Sequence, residues 1–152
     1  MYIARVLCLL SWLCGCAETP PDDVLDYASC LLMNPLPIEA TGNDDPHLGL
    51  KSIYACNCTE EELIEAPVHH YPDGALIIKV SSRETQDFPW LLATMRKREG
   101  SWEWAEYTRN FADEAFARIP GGSQICTDCH SQVSGVDWVF TVYQPGDPGS
   151  NE

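Results

Sequence analysis

The sequence is poor in positive charge. Nine lysines and arginines stand against 23 aspartates and glutamates, a formal net charge of −14 over 152 residues. That balance argues against binding the phosphate backbone of a nucleic acid or an anionic membrane surface. It suits a soluble acidic surface and cationic partners. No apolar run reaches the roughly 20 residues that cross a bilayer. No internal repeat is visible. Three methionines are present, and after His130 the chain has no methionine, histidine or lysine. Nothing suggests general disorder, because the hydrophobic share of 45% is ordinary for a globular protein. The length suffices for one domain with a real core.

Cysteine is not scarce: there are eight. Two of them form Cys126-Thr127-Asp128-Cys129-His130. Two cysteines two residues apart, with histidine next, is the attachment sequence of a covalent c-type haem. Both thiols must reach one edge of the porphyrin, and the next residue must turn an imidazole under the iron. The competing readings are a redox Cys-x-x-Cys and half of a zinc site. The first expects a nearby βαβ unit and the second further ligands close by. Neither context is present. Cys126 and Cys129 are therefore read as haem-bearing, with His130 as the iron ligand.

The missing downstream ligands then matter. A sixth protein ligand could come only from upstream, from Met33, Met95, His47, His69, His70, Lys51 or Lys79. None lies in a recognisable axial signature. The alternative is an open sixth position, which binds or transforms small molecules rather than only passing electrons.

Residues 1–15 read as a lipoprotein signal, with Arg5 as its positive residue and Val6 to Leu13 as its apolar core. Leu13-Cys14-Gly15-Cys16 resembles a lipobox, so Cys16 is the expected lipidation site; the alternative is an ordinary signal cleaved after Ala17. Residues 16–46 are expected to be a lipidated tether followed by an N-terminal helix and loop. The location implied is the bacterial cell envelope, facing the periplasm, on the outer membrane. Covalent haem attachment also takes place outside the bacterial cytoplasm, so the two ends of the chain agree. Cys30, Cys56 and Cys58 remain. One disulfide is expected, from Cys30 to Cys56 or to Cys58.

Along the chain, Pro21-Asp22-Asp23 could open a helix carried by Val24, Leu25, Ala28, Leu31 and Leu32. Gly49 to Cys56 reads as a strand. Thr59 and Glu62 form a capping box for a helix over Glu60–Ala66, stopped by Pro67. Tyr71-Pro72-Asp73-Gly74 is a turn, and Ala75 to Val80 an apolar strand. Trp90 to Arg96 and Trp102 to Tyr107 form a hairpin around the polar turn Arg96-Lys97-Arg98-Glu99-Gly100. Asn110 could cap a short helix through Phe116. Val136 to Tyr143 reads as a final strand, and residues 144–152 as a disordered tail. The expected fold class is mainly β, α+β: an antiparallel sheet with short helices packing one covalent haem c.

These segments, in this order, resemble the cytochrome P-460 family. Tyr71-Pro72-Asp73-Gly74 with Ala75 to Lys79, Met95-Arg96-Lys97 with Trp102-Glu103-Trp104-Ala105, and the haem motif followed by Asp137-Trp138-Val139-Phe140-Thr141 carry the likeness. His47, Gly49 and Asn57 match more weakly. The resemblance covers about His47 to Val142, and 47–143 is taken as the haem domain. It implies an antiparallel β fold, a homodimer and five-coordinate haem with His130 as proximal ligand. The P-460 enzymes oxidise hydroxylamine with nitric oxide; the related cytochromes c′-beta bind nitric oxide. An electron-transfer partner cytochrome is also conceivable for either.

Lys79 matches the lysine that the enzymes link covalently to the porphyrin. Alternation places it on the apolar face of Ala75 and Ile77, where a free ammonium is costly. The other reading is a lysine that snorkels to water or pairs with a glutamate. The enzymes also use a distal carboxylate as a proton relay. Glu103 and Glu106 lie in the matching strand on opposite faces, so at most one faces the haem; Ala105 shares the Glu103 face. Lys51 is the nearest match to the family's basic pocket residue. His69 and His70 read as exposed loop histidines. Trp90, Trp102, Trp104 and Trp138 read as packing rather than as an electron path.

Overall fold

The computed structural model describes residues 18–40 and 45–145. Cys16, the signal and most of the tail lie outside these residues. A six-stranded antiparallel sheet in the order β1-β2-β3-β4-β5-β6 forms the body, each strand beside its predecessor. The strands are β1 (Leu31–Leu32), β2 (Leu50–Cys56), β3 (Leu76–Ser82), β4 (Pro89–Arg98), β5 (Ser101–Thr108) and β6 (Ala117–Arg118). Three short helices accompany them: α1 (Asp22–Leu25), α2 (Glu60–His69) and α3 (Ser123–His130). The expected class, mainly antiparallel β with short helices, is what the chain adopts.

Alternation along the strands splits the core in two. Ile53, Ala55, Ile77 and Met95 face one side, joined by Leu63 and Ala66 of α2 and by Val139 near the C-terminus. Cys56, Leu76, Ile78, Val80, Leu92 and Tyr107 face the other, covered by Val24 and Phe116. Lys79 follows Ile77 onto the first face, as alternation required.

Several expectations are corrected. The helix over Val24 to Leu32 gives way after one turn: a 3-10 turn (Tyr27–Ser29) follows, and Leu31 and Leu32 pair with Ala55 and Tyr54 as an edge strand. Tertiary ties override the weak local period. Cys30 is bonded to Cys56, Met33 N–H donates to the Ile53 carbonyl at 2.8 Å, and buried Asn34 accepts from Ile53 N–H at 2.7 Å. The segment from Glu18 is anchored rather than free, since Arg118 N–H donates to the Glu18 carbonyl at 2.7 Å. Leu31 and Leu32 thus extend the sheet, and Glu18 is tied to β6.

Helix α2 begins as expected, with both halves of the capping box made: Glu62 N–H to Thr59 Oγ1 at 3.2 Å, and Thr59 N–H to Glu62 Oε2 at 2.7 Å. It runs through Pro67 to His69, because the His70 to Ala66 bond of 2.9 Å closes the last turn around the missing proline donor. The hairpin turn is only Glu99-Gly100, both with positive φ, so Arg96 to Arg98 belong to β4. Asn110 to Phe116 is turn rather than helix; Glu114 accepts from Asn110 N–H at 2.7 Å. Val136 to Tyr143 is not a strand. A 3-10 turn (Ser131–Val136) follows α3, then Asp137 and Trp138 both take positive φ and the chain crosses the first face.

Candidate functional site

The first face of the sheet is not wholly covered by α2. Beside it lies a pocket with about 480 Å³ of free space, counted out to its open mouth. The sheet contributes Ile53, Ile77, Lys79, Met95, Trp104 and Glu106. Helix α3 and the segment after it contribute Cys126, His130, Val139 and Phe140. The walls are apolar apart from a few named polar groups, the usual make-up of a small-molecule or cofactor site.

Helix α3 opens after Gly122, whose φ of 103° a side chain would strain, and presents Cys126, Cys129 and His130 on its last turn. Thiols three residues apart on a helix are neighbours on one side. Both are free. Burial raises the Cys126 thiol above its ordinary value, with the Glu106 carboxylate adding to the effect. The His130 ring packs between Trp104, at 4.6 Å, and Phe140, at 5.0 Å. Its Nδ1–H donates to the Trp138 carbonyl at 2.6 Å. Burial holds the imidazole below the usual histidine range, outweighing that bond. A carbonyl only accepts, so the bond to Trp138 puts a proton on Nδ1 and leaves Nε2 as the nitrogen available to a metal. The donor set is of the kind a covalent haem needs: Cys126 and His130 line the apolar pocket, and Cys129 is the second free thiol of the same helix.

The loop that bears His130's acceptor is pinned from below. Buried Asp137 accepts from Lys97 Nζ at 2.5 Å and from Tyr71 N–H at 2.8 Å, and its carbonyl accepts from Trp102 Nε1 at 2.9 Å. Lys97, expected in an exposed turn, is instead a buried strand residue holding this segment.

Across the pocket, three polar side chains form one chain. Lys79 Nζ donates to His47 Nδ1 at 3.2 Å, and His47 Nε2 donates to Glu106 Oε1 at 2.9 Å. Burial lowers the Lys79 ammonium below the ordinary lysine value, and nearby Lys51 lowers it further; Asp45, Cys129 and Glu106 pull the other way. The His47 hydrogen bond holds the Glu106 carboxyl below its ordinary value despite burial.

Of the two candidate carboxylates, Glu106 faces the pocket and Glu103 does not: Glu103 is exposed and pairs with Arg98 at 2.8 Å. Ala105 turns its side chain to the second core, although its backbone borders the pocket. Lys51 is buried against Asp45. Among the other candidate iron ligands, Met95, His47 and Lys79 line the pocket; Met33 is core, and His69 and His70 are exposed at the end of α2. Trp104 reaches His130 and Trp102 packs on Tyr71, while Trp90 lies under Arg83, away from the pocket. Cys58 stays a free thiol, raised to about 11 by burial and by Glu62.

Two functional residues were not foreseen in these roles. His47 stands out in sequence as a candidate ligand and a weak match to the resembled family; nothing local reveals a partner 59 positions away. Asp137 sits inside an expected strand, and only its positive φ frees its carboxylate to turn inward. Among the described residues no three His, Cys, Asp or Glu side chains gather into a metal-holding cluster, so a zinc reading of Cys126 and Cys129 finds nothing to complete it. Compared with known proteins, the chain matches no family model and no curated protein.

Proposed function

We propose that this chain is an exported mono-haem c protein of the cytochrome P-460 type, with haem on Cys126 and Cys129, His130 as proximal ligand, and a distal pocket that takes nitric oxide or hydroxylamine. One observation carries the reading: an imidazole oriented by a backbone hydrogen bond, at the end of a two-thiol helix, lines a pocket that also holds Lys79, His47 and Glu106. Bound there, the haem would supply an iron able to hold a small nitrogen species and accept its electrons.

The protein's own residues do the rest. Trp138's carbonyl fixes the ring plane and tautomer of His130, and Trp104 and Phe140 bracket it. Ile77, Met95 and Val139 keep the pocket apolar. Glu106, ionised and inside the pocket, is the group that would take a proton from an N–H or O–H substrate. Both ring nitrogens of His47 are engaged, as is Lys79 Nζ, which argues against either serving as a sixth ligand. The oxidising compartment needed for haem attachment agrees with the Cys30–Cys56 disulfide. Lipid anchorage at Cys16 belongs to the same proposal.

A second reading is ligand binding without turnover, which leaves Glu106 a bystander. The test uses the purified holoprotein: an optical spectrum of the ferrous form, mass spectrometry of the haem peptide, and hydroxylamine consumption with an added oxidant. Covalent haem, five-coordinate iron and hydroxylamine loss support the enzyme. Nitric oxide uptake with hydroxylamine untouched selects the binding module. Six-coordinate iron indifferent to nitric oxide sinks both and leaves an electron carrier. Haem retained through denaturation after Cys126→Ala and Cys129→Ala would remove the attachment claim.

A further inference from the structure

His47 is held from outside the pocket as firmly as it is held within it. Its backbone N–H donates to Asp45 Oδ1 at 2.9 Å, and the other Asp45 oxygen accepts from buried Lys51. Two residues on, Gly49 has a φ of +96°, and a Cβ there would sit 2.2 Å from the Ser82 carbonyl oxygen. The loop therefore lies against the end of β3, and the imidazole bridges over β4, where Ala93 sits between Lys79 and Glu106 in register. There it meets Lys79 on one strand and Glu106 on the other.

For a neutral His47 the hydrogen bonds of this chain have one arrangement. An ionised carboxylate accepts only, so His47 Nε2 carries the proton and Nδ1 keeps a lone pair. That lone pair takes an N–H from Lys79. His47 Nδ1 is the acceptor the structure gives Lys79, and an amine on an apolar face without an acceptor is costly. With one N–H turned to His47, the rest of the amine is directed elsewhere in the pocket.

We propose that His47 is a positioning residue: it joins Lys79 and Glu106 into a single hydrogen-bonded unit and sets where the pocket's amine points. The inference deepens the proposed function, but it rests on protein contacts and can be tested without reference to the haem. The charged or titratable groups around the unit are Lys51 and Asp45 on the loop side and Cys126, Cys129 and His130 on the α3 side. His47 Nδ1 is the hydrogen-bond partner shown for Lys79 Nζ, so His47 is the handle to remove.

Reductive methylation with formaldehyde and cyanoborohydride, read lysine by lysine by peptide mass spectrometry, measures the outcome on the full-length purified protein. His47→Leu removes the acceptor, releases the amine and leaves it easier to deprotonate. All three effects raise Lys79 labelling, by on the order of tenfold at neutral pH, the equivalent of about one pKa unit. His47→Gln supplies both an amide N–H for Glu106 and a carbonyl for Lys79, and should label within about twofold of the parent. Lys51 and Lys97, both buried and ion-paired, are internal references and should not change. If the Lys79 peptide carries haem in the parent, the extent of that link becomes the readout; it should fall at least about tenfold in His47→Leu and return in His47→Gln. Equal Lys79 behaviour in parent and His47→Leu overturns the proposal. So does acceleration of Lys51 and Lys97 alongside Lys79, which would make His47 a loop scaffold. A Lys79 response in protein lacking covalent haem would fell the proposed function and leave this inference standing.

Discussion

At the scale of single residues, the buried pair of Lys97 and Asp137 has the largest stake. Both side chains are almost fully enclosed, and Asp137 also holds Tyr71 N–H. Removing one partner strands the other as an unpaired buried charge, at about 3–5 kcal/mol. Asp137→Ala should therefore lower the urea midpoint sharply and loosen the Trp138 carbonyl that orients His130. Glu106 gives a pH signature. Its carboxyl lies below its ordinary 4.5, chiefly because His47 donates to the ionised form. A carboxyl depressed in the folded state contributes stability above its unfolded pKa and loses it as pH falls through the folded value. As pH falls below the ordinary 4.5, the urea midpoint of the parent should thus fall more steeply than that of Glu106→Gln. Alternation, a local rule, showed in the sequence that at most one of Glu103 and Glu106 faces inward. It could not show which, since that depends on which face the C-terminal segment crosses, and two positive-φ residues at Asp137 and Trp138 decide it.

At the scale of elements, local chemistry was legible and long-range ties were not. The capping box of α2 forms as the spacing of Thr59 and Glu62 requires; Thr59→Ala should cost about 1 kcal/mol, read as a shift in thermal midpoint. The strands around Ile53, Ile77, Met95 and Trp104 also follow from their alternation. The edge strand of Leu31 and Leu32 does not, because the residues that pin it are Ile53 and Cys56, more than twenty positions on. Likewise the choice of Cys56 over Cys58 rests on strand register, which places Leu31 beside Ala55. Gly49 is the sharpest test of the His47 loop. Gly49→Ala meets both a positive φ and the Ser82 carbonyl, and should cost at least about 1–3 kcal/mol in denaturant stability. Its effect on Lys79 labelling should resemble that of His47→Leu.

At the scale of the whole molecule, the segment from Cys126 to Phe140 borders one face of the sheet, and the N-terminal residues with Phe116 cover the other. Cys30–Cys56 fastens that seal across a separation of 26 residues. Cys30→Ser with Cys56→Ser should lower stability by about 2–4 kcal/mol in urea titration, while leaving the pocket residues in place. The strand order carries a consequence in time. Because every strand pairs with its predecessor, a chain delivered N-terminus first builds its sheet as it emerges. Cys30 and Cys56 are bonded neighbours in the growing sheet while Cys126 and Cys129 are still to come. Their pairing can thus be settled before the two later thiols arrive, and those two meet a pocket wall already standing.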